Sequence, residues 1–593
     1  MCGIFGVAGN DLKGYTPKVV EDALTALSKR GPNDKGADHL SNCILGQTRL
    51  SIIDLSGGHQ PMKDSKKDLT IAFNGEIYNF LELRETLQKK GYVFSTHSDT
   101  EVILKAYQEY GNGCPKYLNG MFAFAIWDGG KKELFMARDR FGKKPFYYAF
   151  DHKANLLIAS EIKAIFATGQ IKGLIDYGAI DNYLTLMYIP PWKTVYKNIN
   201  VLPPATSAVF KEGRLSIEKY WRLEKKPASI SYSEAKEKVR ELLTEAVKKR
   251  MIADVEIGSF LSGGVDSTLV TAIAQSFSKT PIKTFSVGYE DYINELPFAA
   301  EAASKIGTDH NTLQAKDDMV AELEKTLAYF DEPHADSSDF PQYLLSKFTA
   351  SKVRVALCGD GADELFLGYG WYMRHKNLSY RAHFFEKVFL SPFKGYLQAT
   401  QIFSSQERTR LWKDSSYKKN DIISEEVLTS DLDSAKKINL FDLTTYLPGQ
   451  LLVKADRMGM MNSLEVRSPF LDHHLAEFVY SLPDDYKTNQ TTYKRILKDL
   501  LGEIMPPEFV HRRKQGFGAP VKKWLRQKTF KDEIYSKLYN TEADIFSIFK
   551  ERTIKAMIDD FYNNNNDRYN YKIWVLYCLE LWFNSHKSYF ASK

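Results

Sequence analysis

The chain opens Met1-Cys2-Gly3-Ile4-Phe5-Gly6, a β-prone run with a cysteine in second place. A small second residue permits removal of the initiator methionine, which leaves Cys2 with both a thiol and a free α-amine. The ordinary pKa of such an amine is about 8, so at neutral pH a useful fraction can take the thiol proton. One residue then serves as nucleophile and base, the logic of an N-terminal threonine nucleophile. Taken alone, Cys2 reads equally as a small residue starting a strand. Its companions decide.

Outward from Cys2, short β-like runs follow at residues 4–8, 43–49, 69–74, 121–128, 134–138, 146–148 and 156–160. Gly57-Gly58 and Asp128-Gly129-Gly130 punctuate them as turns. Helical periodicity is confined to 17–29, 80–90 and 100–110. Many strands with few helices predict an α+β layered domain over residues 1–215. A charged, Pro- and Ser-containing connector spans 216–232. Beyond it, a helix over 233–249 leads into apolar runs at 256–261, 283–287 and 354–357 that alternate with helical segments. That grammar predicts an α/β domain with a parallel sheet over 233–593, helical from about residue 440.

The 593 residues exceed what one core serves, in keeping with two domains. Lys and Arg number 80 against 74 Asp and Glu, a net +6 that gives no reason to expect a nucleic-acid or membrane surface. Cys2, Cys43, Cys114, Cys358 and Cys578 show no spacing that suggests zinc or disulfides. With no apolar run near ~18 residues and no leader ahead of Cys2, a reduced, cytoplasmic setting is expected.

Around Cys2 the sequence offers a constellation. Asn74-Gly75-Glu76 follows an apolar strand, where the Asn74 amide and the Gly75 N–H could donate to a developing oxyanion. Arg49 offers a fork for an α-carboxylate and Asp99 a carboxylate for an α-ammonium. Singly, Asn-Gly reads as a turn, Arg49 as a surface charge and Asp99 as a helix N-cap before Thr100. Together they describe a site that holds a free amino acid by its ends while Cys2 attacks its side-chain amide.

Met1-Cys2-Gly3-Ile4, Arg30-Gly31-Pro32, Arg49-Leu50-Ser51-Ile52, Asn74-Gly75-Glu76-Ile77-Tyr78-Asn79, Ser98-Asp99-Thr100-Glu101 and Ala137-Arg138-Asp139-Arg140-Phe141-Gly142 resemble, in order, the class II glutamine amidotransferases. The resemblance implies an N-terminal-nucleophile hydrolase fold, two packed antiparallel sheets between helices. It also implies glutamine hydrolysis through a thioester on Cys2, with Arg49, Asn74, Glu76 and Asp99 on the glutamine.

A second constellation starts at Ser262-Gly263-Gly264-Val265-Asp266-Ser267, between a strand-like run and a helical one. A Gly-rich turn there presents backbone N–H groups and a helix N-terminus, a natural phosphate site that lacks the ordinary P-loop lysine motif. Gly359-Asp360-Gly361-Ala362-Asp363-Glu364 follows another buried-looking strand, where carboxylates suit Mg²⁺ on phosphates or, alternatively, form a solvated turn. Asp331-Glu332-Pro333, Asp336-Ser337-Ser338, Lys454-Ala455-Asp456-Arg457, Glu465–Asp472 and Lys494 add polar groups in apolar contexts. Lys494 alone reads as a helix-surface lysine.

The Ser-Gly-Gly-x-Asp-Ser loop resembles that of ATP-pyrophosphatases, and these segments together resemble the synthetase domain of glutamine-dependent asparagine synthetases. The resemblance implies ATP contacts at Leu261, Ser262, Gly263, Gly264, Asp266, Ser267, Val287, Gly359 and Asp360. It places Asp266 and Asp363 near Mg²⁺ and Lys494 near the reacting carboxylate. Arg513-Lys514-Gln515-Gly516-Phe517-Gly518 also matches, without an assigned role. Two departures stand out: Cys358 replaces a more typical serine, and Asp360 stands where some members have glutamate.

The implied activity uses glutamine, aspartate and ATP, and the family analogy implies a homodimer. Three rivals stay open. One is an amidotransferase of the same architecture acting on an envelope sugar acid, a peptide or a natural-product intermediate. The others are a tRNA-modifying adenylating enzyme, which the modest charge disfavours, and a binding protein on an inactive scaffold.

Overall fold

Side-chain parity along β1 (Cys2–Ala8) sorts the amino-terminal core. Ile4 and Ala8 pack with Ala72, Ala123, Ala125 and Trp127, while Phe5 and Val7 join Val20, Leu24 and Leu27. Strand side chains alternate between faces, so β1 carries one layer on each side. The structure, a computed structural model, describes all residues except 65, 225–228, 290–293, 316–319, 373–391, 415, 417–420, 490, 513–517 and 591–593.

After β1 come β2 (Asp34–His39), β3 (Cys43–Arg49), β4 (Met62–Asp64), β5 (Leu69–Ile77), β6 (Gly120–Asp128) and β7 (Glu133–Arg138). They are followed by β8 (Tyr147–Phe150), β9 (Leu156–Ala159), β10 (Ile199–Val201), β11 (Thr206–Lys211) and β12 (Arg214–Lys219). Two six-stranded sheets result, ordered β10-β8-β9-β1-β3-β2 and β12-β11-β7-β6-β5-β4, with every pairing antiparallel. The sheets face each other through the Ile4–Trp127 layer. The helix Pro17–Ala26 covers the outer face of one, and Phe80–Lys89 with Asp99–Tyr110 covers the other. This is the two-sheet sandwich between helices expected of an N-terminal-nucleophile hydrolase.

The strands absent from the sequence reading are those that physics makes hard to see. β2 reads DKGADH and alternates in exposure, the polar signature of an edge strand. The helix Tyr177–Leu186 is buried over nearly its whole circumference, so it shows no amphipathic stripe. β12 pairs with β11 out to Lys219, four residues past the expected end of the first region at 215, because the hairpin closes only at Glu212 and Gly213.

The second region starts with a helix, Tyr232–Arg250, opened by a capping box in which Ser231 and Glu234 satisfy each other's backbone N–H. It leads into β13 (Ile257–Phe260), β14 (Lys283–Tyr289), β15 (Asp309–Ala315), β16 (Val355–Leu357) and β17 (Glu465–Arg467). These form a wholly parallel sheet ordered β15-β14-β13-β16-β17. The helix Val265–Phe277 springs from the carboxyl end of β13, where open parallel sheets place ligands. From about residue 440 the chain is helical, as expected, apart from β17. Among the described residues no helix is long and apolar enough to cross a membrane.

Candidate active sites

β1 and β3 pair with Cys2 opposite Arg49, and Gln47 lies two residues back on the same face of β3. The Cys2 backbone N–H donates to Asn74 Oδ1 at 3.0 Å. Asn74 is fully buried, yet its Nδ2 has no hydrogen-bond partner. A buried unpaired donor is costly unless something else fills the role. Here it lies on a side chain that hydrogen-bonds Cys2, where a donor of this kind can serve a developing oxyanion. Gly75 follows with φ +152°, and a Cβ there would lie 2.0 Å from the Met121 carbonyl oxygen, so only glycine fits.

Burial pushes the Cys2 thiol pKa up. The positive amino terminus, the Leu50 backbone, the Gln47 amide and the Arg49 guanidinium pull the other way. A thiol so placed needs a base within reach. Its backbone carbonyl is held from the opposite side by Arg30 Nε at 3.0 Å.

Three carboxylates gather nearby. Asp99 accepts the Ile77 N–H at 2.9 Å, and burial raises its carboxyl to about 6. The N-cap of the helix it starts is Ser98, which accepts from the Thr100 N–H at 3.1 Å. Burial, with Glu465 and Asp99 close by, holds the Glu76 carboxyl well above its ordinary range. Glu465 and Arg467 reach this site from β17: Glu465 pairs with the Met1 ammonium at 3.1 Å, and Arg467 Nη2 lies 3.6 Å from Glu76. An excess of buried carboxylate suits an ammonium group. Arg49 turns its fork onto the carbonyls of Ile53, Asp54 and Leu55, so any carboxylate it holds must share that guanidinium.

The second site is a cleft of about 760 Å³ at the carboxyl ends of β13, β14 and β16. Leu261, the 262–267 loop, Val287, Gly359, Asp360, Asp363 and Lys494 all line it, so the structure brings the expected nucleotide residues together. Gly263 has φ +69°, and a Cβ there would lie 2.6 Å from the Phe298 backbone. Ser262 and Ser267 hydroxyls pair at 3.0 Å, and Arg512 donates to the Gly263 carbonyl at 2.7 Å, which fixes the loop.

Lys494 takes the left-handed backbone, φ +52°, and is 2% exposed. Its ammonium pairs with Asp266 and, at 2.7 Å, with Asp363. The two carboxylates therefore converge on one point. Two carboxylates completed by phosphate oxygens and water are what Mg²⁺ takes, so the residues fit that ion. Among the described residues no set of three or more His, Cys, Asp or Glu side chains forms a metal cage. Cys358 lines the cleft with its thiol 3.2 Å from Asp360 and 3.2 Å from the Ser468 hydroxyl, a donor where serine was expected. Lys454, also on the lining, bonds Ser338 at 2.7 Å and pairs with Asp336 at 3.4 Å.

Several contacts were not legible as site features: Gln47 beside the thiol, Arg30 on the Cys2 carbonyl, Arg512 on the loop, and Glu465 with Arg467. The alternation of β3 pointed to Gln47, since Cys43, Leu45, Gln47 and Arg49 share a face. Residues 513–517 of the matched segment 513–518 lie outside the described residues.

An acyl-transfer pocket and a phosphate-loop cleft on one chain define an amide-forming enzyme with separate sites for releasing nitrogen and for activating its acceptor. Residues 1–221 match the family profile described as a glutamine amidotransferase domain, and residues 238–584 match that described as asparagine synthase. The chain belongs to the asparagine synthase family. It is 31% identical to asparagine synthetase (glutamine-hydrolyzing) 1 of Bacillus subtilis, over 99% of this chain and 98% of that one. Asparagine synthetase (glutamine-hydrolyzing) 3 of the same organism is 33% identical over 87% of each chain. Amidase chry2 of Gibberella zeae is 27% identical over 86% of this chain and 87% of that one.

Proposed function

We propose that the chain makes asparagine from aspartate, with ATP as activator and glutamine as nitrogen donor. What carries the reading is the unpaired Asn74 amide beside Cys2, joined in one chain to a phosphate loop facing Lys494. Once Met1 is removed, the Cys2 amine takes the thiol proton and the sulfur attacks the glutamine side-chain amide. Asn74 Nδ2 and the Gly75 N–H donate to the oxyanion. Ammonia leaves, and water hydrolyses the thioester to glutamate. Asp99 and Glu76 hold the α-ammonium and Arg49 the α-carboxylate.

In the cleft the aspartate β-carboxylate attacks the α-phosphorus of ATP, and pyrophosphate departs. The 262–267 loop and the helix N-terminus behind it hold the phosphates, and Lys494 offsets the charge that develops. Asp266 and Asp363 would hold Mg²⁺, which when bound neutralises phosphate charge. Ammonia then attacks the acyl-adenylate, releasing AMP. A protected passage between the sites belongs to the proposal, since free ammonia in water is mostly ammonium and no nucleophile.

The same proposal divides the chain into a glutaminase region over residues 1–215, a connector over 216–232 and a synthetase region over 233–593. It also includes a homodimer by analogy with the family and a cytoplasmic setting, which suits five unpaired, buried cysteines. The decisive experiment measures pyrophosphate release from ATP across a panel of carboxylates. Release with aspartate supports the acceptor. Release only with a sugar acid, a peptide or another intermediate transfers the same two-site chemistry to that acid.

A further inference from the structure

We infer that Asp456, a residue of the second region, is the positioning residue for the Cys2 nucleophile in the first. The chain of contacts is short. Arg30 Nε donates to the Cys2 carbonyl at 3.0 Å, and the other end of the guanidinium grips Asp456 bidentately, Nη1 to Oδ2 at 2.7 Å and Nη2 to Oδ1 at 3.0 Å. Nη1 also reaches Glu161 at 2.9 Å. Arg30 is wholly buried, so no water competes for these donors. A planar fork held at both nitrogens by one carboxylate has a fixed plane, and Nε points where that plane sends it. The orientation of the donor on Cys2 is thus set by Asp456.

Asp456 is itself held. Arg457 Nη1 donates to it at 2.7 Å and Lys144 lies 3.6 Å away. It rides on the helix Leu452–Met460, whose Lys454 is anchored in the cleft by Ser338 and Asp336. The carboxylate that aims Arg30 is therefore built into the opposite catalytic region, and the glutaminase nucleophile is complete only when the two regions are docked. Misplacing a nucleophile lowers turnover steeply, whereas glutamine is gripped elsewhere, by Arg49, Glu76 and Asp99. The inference rests on the glutaminase reading of Cys2.

The test compares full-length wild type, Asp456→Asn and Asp456→Glu. Three activities are read: glutamine hydrolysis without ATP, inactivation by the glutamine analogue 6-diazo-5-oxo-norleucine, and pyrophosphate release with ammonium as nitrogen source. Asp456→Asn keeps the shape but loses the charge, and Asp456→Glu keeps the charge but moves it by one methylene. For both, glutaminase kcat and the inactivation rate should fall about fivefold or more, with glutamine KM and the ammonium-dependent rate within about twofold. A smaller fall in glutaminase kcat overturns the inference. So does a parallel fall in both activities, which marks a merely structural role. If Asp456→Asn does not fold, Asp456→Glu decides by the same criteria. A wild type without glutaminase activity sinks instead the reading of Cys2.

Discussion

Asn74 faces Cys2 with both ends of its side-chain amide assigned: Oδ1 accepts the Cys2 N–H at 3.0 Å, and Nδ2 is buried without a partner. One end holds the Cys2 backbone, and in the proposed mechanism the other serves the oxyanion. Asn74→Ala should therefore lower glutaminase kcat by about 10²–10³, the range for loss of one oxyanion donor, with little change in glutamine KM. Ammonium-dependent synthesis should persist in this variant and in Cys2→Ala. Loss of both activities in a folded Cys2→Ala protein would defeat the two-site assignment.

If Asp99 holds the glutamine α-ammonium as proposed, its raised pKa should give binding a pH edge. Its carboxyl, normally near 3.8, titrates at about 6 because it is buried. Above that value it is an anion able to hold an α-ammonium, and below it is neutral. Glutamine KM should rise as the pH falls through about 6, approaching tenfold per unit well below it. Asp99→Asn should show a high KM without that edge. A wild-type KM unchanged between pH 7 and 5 would remove Asp99 from the binding site.

Lys494 offers the opposite separation. Its ammonium pairs with both Asp266 and Asp363, at the wall of the nucleotide cleft and far in sequence from Cys2. Lys494→Met should abolish pyrophosphate release and amide formation, by about 10² or more, while glutamine hydrolysis continues. Burial alone would lower the lysine pKa, but Asp266 and Asp363 outweigh it and push the value above the ordinary one, so the lysine stays charged through the assay range. A variant that still releases pyrophosphate at a tenth of the wild-type rate would assign the charge elsewhere.

Parts of both candidate sites were legible because they depend on local grammar, whereas the roles expected of Asp99 and Lys494 rested on the family resemblance. Cys2 opens the apolar strand β1, Asn74 closes the apolar run 69–74 within β5, and the 262–267 loop joins a strand to a helix, so short motifs drew attention to them. The cross-region contacts lacked any such grammar. β17 is three residues long and reads Glu-Val-Arg, which no hydrophobic pattern marks as a buried parallel strand. Its charges are tolerated because Glu465 and Arg467 pair with each other and with groups far along the chain, Arg467 with the Arg250 carbonyl and Glu76, Glu465 with the amino terminus. Asp456 was visible as a polar residue in an apolar context, yet its partner Arg30 is 426 residues distant. Pairings of that range follow from docking two cores, which one sequence does not encode locally.

Arg467 tests how strongly that docking is held. It is wholly buried and donates from Nη1 to the carbonyls of Arg250 and Ile252, each at 2.8 Å, and from Nε to Glu465 at 2.6 Å. Glu465 in turn faces the amino terminus and the Glu76–Asp99 pocket. Removing one partner of a buried ion pair leaves the other charge uncompensated, at a cost of about 3–5 kcal/mol. Arg467→Met should therefore lower the first thermal transition by several degrees and raise glutamine KM, since Glu76 loses its nearest cation. Arg467→Lys keeps the charge but cannot reproduce the planar fork across two carbonyls and a carboxylate, so it should fall between the two. Differential scanning fluorimetry and glutaminase kinetics on the same samples decide it. An Arg467→Met protein that melts with the wild type and binds glutamine as well would mean that β17 lends the glutaminase site nothing.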